Sequence, residues 1–223
     1  MSPPPLRVLV SGFESFAGLA YNPSQDVVET LVRGAESGQL ITQREHGLVL
    51  LHTLVLPVEF GRAGKLLTAA VDEHQPDVVI SVGLAAGTGS VRLERVGLNL
   101  RDARIPDNSG AQPLSEPIME EGQNAYFSTL RLKAAEQRIA EAGIPVTLSL
   151  SAGSYLCNEV LYTLLHHLVG SQLPTAAGFM HIPDLRSLDS PVTCAQATDA
   201  LDMVITEALK PDPDAATAVG ALH

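Results

Sequence analysis

The stretch PVTLSLSAGSYLCNEVLYTLLHHLV, residues 145–169, contains the transition that decides the fold. A strand is predicted over Pro145–Ser151 and a helix over Ser154–Val169. Leucines at helical spacing give this helix one apolar face: Leu161, Leu164, Leu165 and Leu168. Gly153 marks the turn, and Ser154 is predicted to cap the helix. A strand that runs directly into a helix is the building unit of an α/β sheet.

The same alternation continues along the rest of the chain. Further strands are predicted at four apolar runs: Leu6–Gly12, Leu48–Leu56, Asp77–Val82 and Ala176–Ile182. Further helices are predicted from Asn22-Pro23, from Pro57, over Asn124–Ala142, and from Ser190-Pro191 to Leu209. Two segments lie outside this alternation: Val91–Ile105, predicted as one or two strands, and Pro106–Gly122, predicted as a long loop. We therefore predict an α/β fold over residues 1–210, a single-domain three-layer α/β/α sandwich with a mixed, mostly parallel sheet. Residues 211–223 are predicted to form a flexible tail.

The composition limits the classes of function. The chain has 223 residues, with 14 Lys and Arg against 25 Asp and Glu and a formal net charge of -11. Nucleic-acid binding requires clustered cations, so no nucleic-acid partner is predicted, and the same charge disfavours anionic membranes. The start Met1–Arg7 lacks the pattern of a secretory leader, and no run approaches the roughly 20 apolar residues of a membrane helix. Because the 2 cysteines give no disulfide framework, we expect a cytoplasmic protein.

Cys157 is the first candidate for chemistry. It would lie in the first turn of the helix that begins near Ser154, where unpaired N–H groups and the helix dipole stabilise a thiolate. The alternative is a small buried side chain, because its spacing to Leu161 and Leu164 also fits a core face. Taken alone, this segment favours packing over reactivity.

Cys194 and the His166-His167 pair are predicted to be structural. Cys194 lies inside a predicted helix on the side of Ala197 and Leu201, which favours core packing. The two histidines come late in a helix, on its polar side, and we expect both to be solvated.

Two further polar residues could complete a catalytic set. His181 follows the apolar run Ala176–Met180 and could be the base that activates a thiol, although a lone histidine there is more often structural. Glu94 could orient His181 and stabilise its charged form. The alternative for Glu94 is an ordinary salt bridge with Arg92 or Arg95.

Neither a nucleotide nor a metal is predicted. The run Gly83–Gly89 (GLAAGTG) has the wrong order for GxGxxG, and a predicted strand follows it instead of a helix. Because no HExxH or CxxC spacing occurs, no metal ligand set is predicted.

Several motifs, in order along the chain, resemble those of the pyroglutamyl peptidase type I (pyrrolidone-carboxylate peptidase) family of cysteine peptidases. They are Val8–Gly18 (VLVSGFESFAG) with Asn22-Pro23-Ser24, Pro76–Gly83 (PDVVISVG), Glu94-Arg95-Val96, Asp102–Asn108 (DARIPDN), Ser151–Asn158 (SAGSYLCN) and Gly178–Pro183 (GFMHIP). Each motif is modest alone, but the match runs from about Leu6 to Leu209.

The resemblance implies removal of an N-terminal pyroglutamyl residue from peptides. It implies Cys157 as nucleophile, His181 as general base and Glu94 as the acid that orients the base. The resemblance implies no cofactor and no metal. It does imply a homo-oligomer, either a dimer or a tetramer.

Five residues are implied in substrate binding: Phe13, Phe16, Asn22, Leu84 and Ile105. The pyroglutamyl group is a flat lactam without a free amine, so it needs an apolar slot with polar partners for its N–H and C=O. Phe13 and Phe16 could sandwich the ring, although without the resemblance we would favour core packing for both. Backbone groups near Val82–Leu84 and in Asp102–Asn108 could pair with the lactam.

The chain departs from the family pattern in two regions. The family's GFEPFGG is GFESFAG here, with Ser15 and Ala17 replacing proline and glycine. Thr88 stands where many members carry arginine, and Leu84 where many carry glutamine. The missing arginine predicts weaker stabilisation of charge near the thiol.

Two other functions are compatible with the residues. The first is a non-peptidase enzyme on a similar α/β fold, such as a nucleoside phosphorylase or hydrolase, which would not need Cys157. The second is a catalytically weak or inactive homologue that acts as a binding protein, as Thr88 suggests.

Overall fold

A computed structural model describes residues 4–16, 18, 21–187 and 189–218 of the chain. It contains eight strands: β1 (Leu6–Phe13), β2 (Val49–Leu56), β3 (Val78–Leu84), β4 (Val91–Glu94), β5 (Val96–Leu98), β6 (Ala125–Phe127), β7 (Val146–Ser149) and β8 (Ala176–Ile182). Six of them form the central sheet in the order β2-β1-β3-β8-β4-β7, and β5 pairs with β6 separately. Only the β4–β8 pairing of the central sheet is antiparallel, so the predicted mixed, mostly parallel sheet is confirmed.

Helices cover both faces of the sheet. They are α1 (Pro23–Glu36), α2 (Ile41–His46), α3 (Arg62–His74), α4 (Leu132–Glu141), α5 (Leu156–Ser171) and α6 (Cys194–Ala208). Alternate side chains of β1 point to opposite cores: Val8 and Val10 pack with α1, α4 and α6, whereas Leu9 packs with α3 and α5. Burial of both faces explains why the central strands are almost continuously apolar. This arrangement is the predicted three-layer α/β/α sandwich.

The beginning of the chain folds as its sequence predicts. Asn22 caps α1, with its side-chain oxygen accepting a hydrogen bond from the N–H of Ser24 at 3.1 Å, and Pro23 occupies the first helical position. The capped helix then buries Val27 and Leu31 against the sheet. Ala17, which belongs to the first of the family-like motifs, lies outside the described residues.

Two predicted helices begin later than expected. The helix predicted from Pro57 begins at Arg62, because Gly61 has a φ of 71° and interrupts the helical backbone. The helix predicted over Asn124–Ala142 is confined to α4, because Ala125–Phe127 forms β6 and pairs with β5. The short helix α2 was not predicted.

Two predicted helix caps are wrong. Ser154 does not cap α5, because its Oγ donates a hydrogen bond to the carbonyl of Asp102, and Tyr155 is the N-cap residue. Helix α6 begins after Thr193, which forms a capping box with Gln196, and not at the predicted Ser190. The first error arises because the Ser154 hydroxyl binds a carbonyl that is distant in the sequence. The second arises because Thr193 competes with Ser190 as the cap of α6.

The predicted environment of the histidine pair on α5 is also wrong. His166 Nδ1 lies 3.0 Å from the hydroxyl of Tyr126, and His167 Nε2 lies 2.8 Å from Asp72 Oδ1. Both histidines are half-buried because β6 and α3 cover this part of α5. The sequence of α5 alone does not show these neighbours.

The described part of the predicted tail contacts α4. The Asp214 carboxylate accepts hydrogen bonds from the N–H groups of Lys133 and Ala134, and Arg131 donates to the carbonyl of Pro213. Residues 219–223 lie outside the described part, and the mobility of residues 211–223 stays a prediction. None of the helices in the described ranges combines the length and the apolarity needed to cross a lipid bilayer.

Candidate active site

Cys157 is the second residue of α5 and faces a cavity at the carboxyl ends of the parallel strands. Within the described residues, no side chain hydrogen-bonds the N-terminus of this helix. The first-turn N–H groups and the positive end of the helix dipole can therefore act on negative charge at the sulfur or beside it. Cys157 is only partly buried and lines the cavity.

Strand β3 passes directly beside the sulfur. At Gly83, an added Cβ would lie 2.9 Å from Cys157 Sγ and 2.8 Å from the Phe179 ring. Glycine at this position lets the backbone approach the thiol, so this glycine is required by packing.

His181 and Glu94 are brought together by the single antiparallel pairing of the sheet. His181, near the end of β8, pairs with Arg92 of β4, and Glu94 pairs with Phe179. His181 Nδ1 lies 2.8 Å from Glu94 Oε1, and both side chains are buried. A carboxylate on Nδ1 orients the ring so that Nε2 is available to the thiol.

Glu94 has a second cationic neighbour. Arg92 Nε lies 3.8 Å from the same oxygen, Oε1, whereas Oε2 is buried with no hydrogen-bond partner among the described residues. The predicted alternatives for Glu94 therefore coexist: it contacts His181 and also forms a longer ion pair with Arg92.

The surroundings of His181 favour its charged form. Burial lowers the pKa of His181, but the charge of Cys157 and its hydrogen bond to the ring raise it, as do the hydrogen bond and charge of Glu94. The attractive contacts prevail and raise the pKa of His181 from 6.5 to about 9. The imidazolium form of His181 is thus favoured at neutral pH, and it can stabilise negative charge that develops on the sulfur.

The cavity beside Cys157 has a volume of about 440 Å³. Its lining consists of Phe13, Phe16, Asn22, Val58, Leu84, Ala85, Arg92, Ser151, Ala152, Gly153, Tyr155, Leu156, Cys157 and His181. Aromatic and aliphatic side chains dominate, with a few polar groups near the thiol, as in sites for small ligands.

Four of the five residues implied in substrate binding line this cavity, and the fifth does not. Phe13 is buried against Phe179 with 6.3 Å between ring centroids, so one of the two aromatics also packs in the core. Asn22 uses its Nδ2 to donate to the Glu14 carbonyl and its Oδ1 to cap α1, so its known contacts are structural. Ile105 is 36% exposed and lies outside the lining.

Sequence reasoning did not select Tyr155, Val58 or Arg92 as site residues. The Tyr155 ring lies 5.2 Å from that of Phe60 and 6.4 Å from that of Phe16, so it forms an aromatic wall with them. Its position two residues before Cys157 was the available signal. For Arg92 the sequence suggests only an ion pair with Glu94.

A buried aspartate supports this wall. Asp107 accepts hydrogen bonds from the N–H groups of Phe60, Ser109 and Ala111 at 2.7, 2.9 and 2.8 Å. Burial raises the pKa of Asp107, but these hydrogen bonds outweigh it and lower the pKa below its ordinary value. The loop after Asp102 is therefore fixed to the segment before α3.

The next residue of the loop extends the support to the chain after β1. Asn108 Nδ2 donates to Glu14 Oε1 and to the carbonyl of Ser15, each at 3.0 Å. The Tyr155 hydroxyl donates to the Pro106 carbonyl at 3.1 Å. The segments that carry Phe16 and Tyr155 are thus held by one network.

Thr88 does not line this cavity. Its Oγ1 donates to the carbonyl of Ala85 at 2.8 Å, within the turn between β3 and β4. The glycine run Gly83–Gly89 is followed along the chain by strand β4, as predicted, and not by a helix.

Cys194 occupies a different environment. It is the first residue of α6, and its sulfur lies 3.8 Å from Thr30 Oγ1. It packs against the core shared by α1 and α6, as predicted, although at the start of the helix. In the described part of the chain, no cluster of three or more His, Cys, Asp or Glu side chains is arranged to hold a metal ion.

Comparison with known proteins gives a consistent result. A sequence model described as pyroglutamyl peptidase matches residues 6–210. Pyrrolidone-carboxylate peptidases of Yersinia pestis and Yersinia pseudotuberculosis are each 40% identical to the chain, over 97% of its length and 99% of theirs.

Solved structures agree with this match. Pyroglutamyl peptidase I of Bacillus amyloliquefaciens superposes with a TM-score of 0.83 at 31% identity, covering 94% of this chain and 100% of the other. Pyrrolidone carboxyl peptidase of Thermococcus litoralis gives a TM-score of 0.86 at 32% identity, with 96% and 99% covered. That of Pyrococcus furiosus gives 0.82 at 36% identity, with 92% and 98% covered.

Proposed function

The chain belongs to the pyroglutamyl peptidase family of cysteine peptidases, and from that premise we propose that Cys157, His181 and Glu94 hydrolyse the bond after an N-terminal pyroglutamyl residue. The observation that carries the proposal is that Cys157 and His181 meet at one cavity, with the buried Glu94 carboxylate bound to His181 Nδ1. Cys157 and His181 both line that cavity, and the imidazole contacts the carboxylate at 2.8 Å.

The first step is attack by the Cys157 sulfur on the pyroglutamyl carbonyl carbon. The carbonyl π electrons move to oxygen, and the first-turn N–H groups of α5 are positioned to stabilise that oxyanion. His181, holding the proton from the thiol, donates it to the leaving nitrogen as the C–N bond breaks. A thioester remains on Cys157, and the shortened peptide leaves with its new amine.

The second step restores the enzyme. Neutral His181 removes a proton from water, and the resulting hydroxide attacks the thioester carbonyl. The C–S bond breaks, the sulfur leaves as thiolate, and pyroglutamate is released. Glu94 keeps the ring oriented and stabilises its cationic form through both steps.

The aromatic end of the cavity suits the lactam. Phe13, Phe16 and Tyr155 provide flat apolar surfaces, and backbone groups at Leu84 are candidates to pair with the lactam N–H and C=O. A substrate with a free α-ammonium would lose hydration in the cavity. No Asp or Glu side chain among the described lining residues would compensate for that loss. This combination favours pyroglutamyl over ordinary amino-terminal residues.

We further propose a cytoplasmic homo-oligomer, a dimer or a tetramer, which rests on the family resemblance. Exposed apolar side chains such as Phe127, Leu150 and Val169 are available for contacts between copies. Light scattering after size-exclusion chromatography measures the assembly, and a monomer across the working concentration range would contradict it.

The direct test of activity is release of a fluorophore from pyroglutamyl-7-amido-4-methylcoumarin, with and without iodoacetamide. We expect release that stops when Cys157 is alkylated, and no release from the glutamyl and prolyl analogues. Release that survives alkylation of Cys157 would indicate a thiol-independent enzyme. Binding of a pyroglutamyl peptide without any turnover would indicate the binding-protein alternative.

A further inference from the structure

Arg92 gives the cavity a charge that the lactam does not require. Among the described residues that line the cavity, Arg92 is the only Lys or Arg, and no Asp or Glu is present. The chain as a whole has the opposite balance, with 14 basic and 25 acidic residues. The pyroglutamyl group of the substrate is neutral, so it offers no negative charge to pair with the Arg92 cation.

The strand order places Arg92 away from the lactam end. Phe13 ends β1 and Leu84 ends β3, whereas Arg92 lies on β4, and β8 with His181 separates β3 from β4. If the lactam occupies the aromatic end, the scissile bond lies near Cys157 and His181. The leaving peptide must then extend toward β4, where Arg92 faces the cavity.

The Arg92 guanidinium is held in place by its neighbours, but most of its N–H groups have no acceptor among the described residues. Arg92 Nη2 donates to Ser149 Oγ at 2.7 Å, and Nε lies 3.8 Å from Glu94 Oε1. Ser149 is buried and passes a hydrogen bond on to the Ser151 carbonyl at 3.2 Å. The Arg92 side chain is 34% exposed, and only one of the five N–H groups of a guanidinium donates to a described residue.

From this geometry we propose that Arg92 forms a carboxylate subsite on the leaving-group side, so that the enzyme prefers pyroglutamyl substrates with a carboxylate close to the scissile bond. A partly buried, pre-positioned guanidinium binds carboxylate in a fork of parallel hydrogen bonds. The carboxylate could be the free C-terminus of a pyroglutamyl dipeptide or an acidic side chain after the pyroglutamyl residue. The inference rests on the proposed function, since it needs a leaving peptide on this side.

Two matched pairs of substrates distinguish these sources. Pyroglutamyl-alanine against pyroglutamyl-alaninamide tests the terminal carboxylate, and pyroglutamyl-glutamyl amide against pyroglutamyl-glutaminyl amide tests the side chain. For at least one pair we expect kcat/KM to favour the carboxylate by about fivefold or more, as a partly exposed ion pair allows. Arg92→Gln should reduce that ratio to about one, because it lowers kcat/KM more for the carboxylate substrate than for the matched amide.

The control is Arg44→Gln, which removes the same charge from an exposed position on α2, outside the cavity. It should keep the wild-type ratios, and Arg92→Lys should keep part of them. Equal loss for all four substrates in Arg92→Gln would overturn the proposal and assign Arg92 to the support of Glu94. Equal rates for acids and amides in the wild type would also overturn it, whereas no turnover of any pyroglutamyl substrate would overturn the proposed function itself.

Discussion

The two cysteines occupy similar positions in the fold and very different surroundings. Each lies in the first turn of a helix, Cys157 as the second residue of α5 and Cys194 as the first residue of α6, and each is partly buried. At α6, Thr193 and Gln196 close a capping box. At α5, no side chain of the described residues caps the helix, and Cys157 and His181 line the same cavity.

The comparison shows that a helix N-terminus alone does not make a cysteine a nucleophile. Both thiols experience the helix dipole, but only Cys157 has a base supported by a carboxylate and space for a substrate. An uncapped N-terminus also leaves N–H donors for an oxyanion, whereas the capping box at α6 occupies the N–H groups of Thr193 and Gln196. Reactivity therefore follows from what surrounds the helix end.

The largest expected effect is the loss of the nucleophile. Cys157→Ser should lower kcat/KM for pyroglutamyl-7-amido-4-methylcoumarin by about a thousandfold or more, because an alcohol is a far weaker nucleophile beside this base. Cys194→Ser should stay within about twofold of the wild type. If the Cys194 variant lost activity and the Cys157 variant kept it, the assignment of the two thiols would be reversed.

Removing the Glu94 carboxylate should show a second functional difference between the surroundings of Cys157 and those of Cys194. Glu94→Gln keeps the size of the side chain but removes the charge that holds the His181 ring, and we expect kcat/KM to fall by about 10²–10⁴. The matched variant at the other thiol is Thr30→Val, which removes the hydroxyl beside Cys194. It should leave kcat/KM unchanged, and a similar loss in both variants would point to general destabilisation.

The protonation of His181 should respond to Cys157. Cys157→Ser removes the interaction with Cys157 that raises the pKa of His181, so this pKa, raised to about 9, should move down. The raised pKa stabilises the fold below pH 6.5, and this contribution is lost as the pH rises through about 9. In the variant the loss should occur at lower pH. NMR titration of the ring protons and the midpoint of thermal unfolding from pH 6 to 10 measure both, and an unchanged titration would contradict the contact.

The smallest expected effect concerns the helix caps. Thr193→Ala should lower the free energy of unfolding by about 1 kcal/mol, because it opens the capping box of α6, and should leave activity unchanged. Ser154→Ala should not show a cap loss, because the Ser154 hydroxyl donates to the Asp102 carbonyl and does not cap α5. Urea unfolding measures both variants. Equal destabilisation with a frayed α5 would show that Ser154 acts as a cap.

Much of the fold follows from local sequence patterns. The apolar runs of β1, β3 and β8 and the cap at Asn22 lie where the sequence predicts them, because burial on both faces and capping leave local signals. The errors occur where distant partners override those signals. Ala125–Phe127 has a sequence typical of helix but forms a strand because it pairs with β5. Ser154 has the residue type of a cap, but its hydroxyl donates to the Asp102 carbonyl instead.

Some residues of the candidate site could likewise be predicted from the sequence, and others could not. Cys157, His181 and Glu94 could be selected because each has a residue type and a strand-end or helix-start position that suit catalysis. Arg92 could not, because its place in the cavity depends on the β4–β8 register and on its bond to Ser149. These contacts join segments that are far apart in the sequence.

The close approach of Gly83 to the nucleophile has a consequence for inhibitors. An added Cβ there would be 2.9 Å from Cys157 Sγ, so β3 shields one side of the sulfur. The cavity gives electrophiles access to the sulfur from another side, and a carbonyl attacked from one direction gives an adduct of single handedness. Mirror-image forms of a chiral thiol-reactive compound should therefore inactivate the enzyme at different rates. A residue without a side chain thus acts as a stereochemical template.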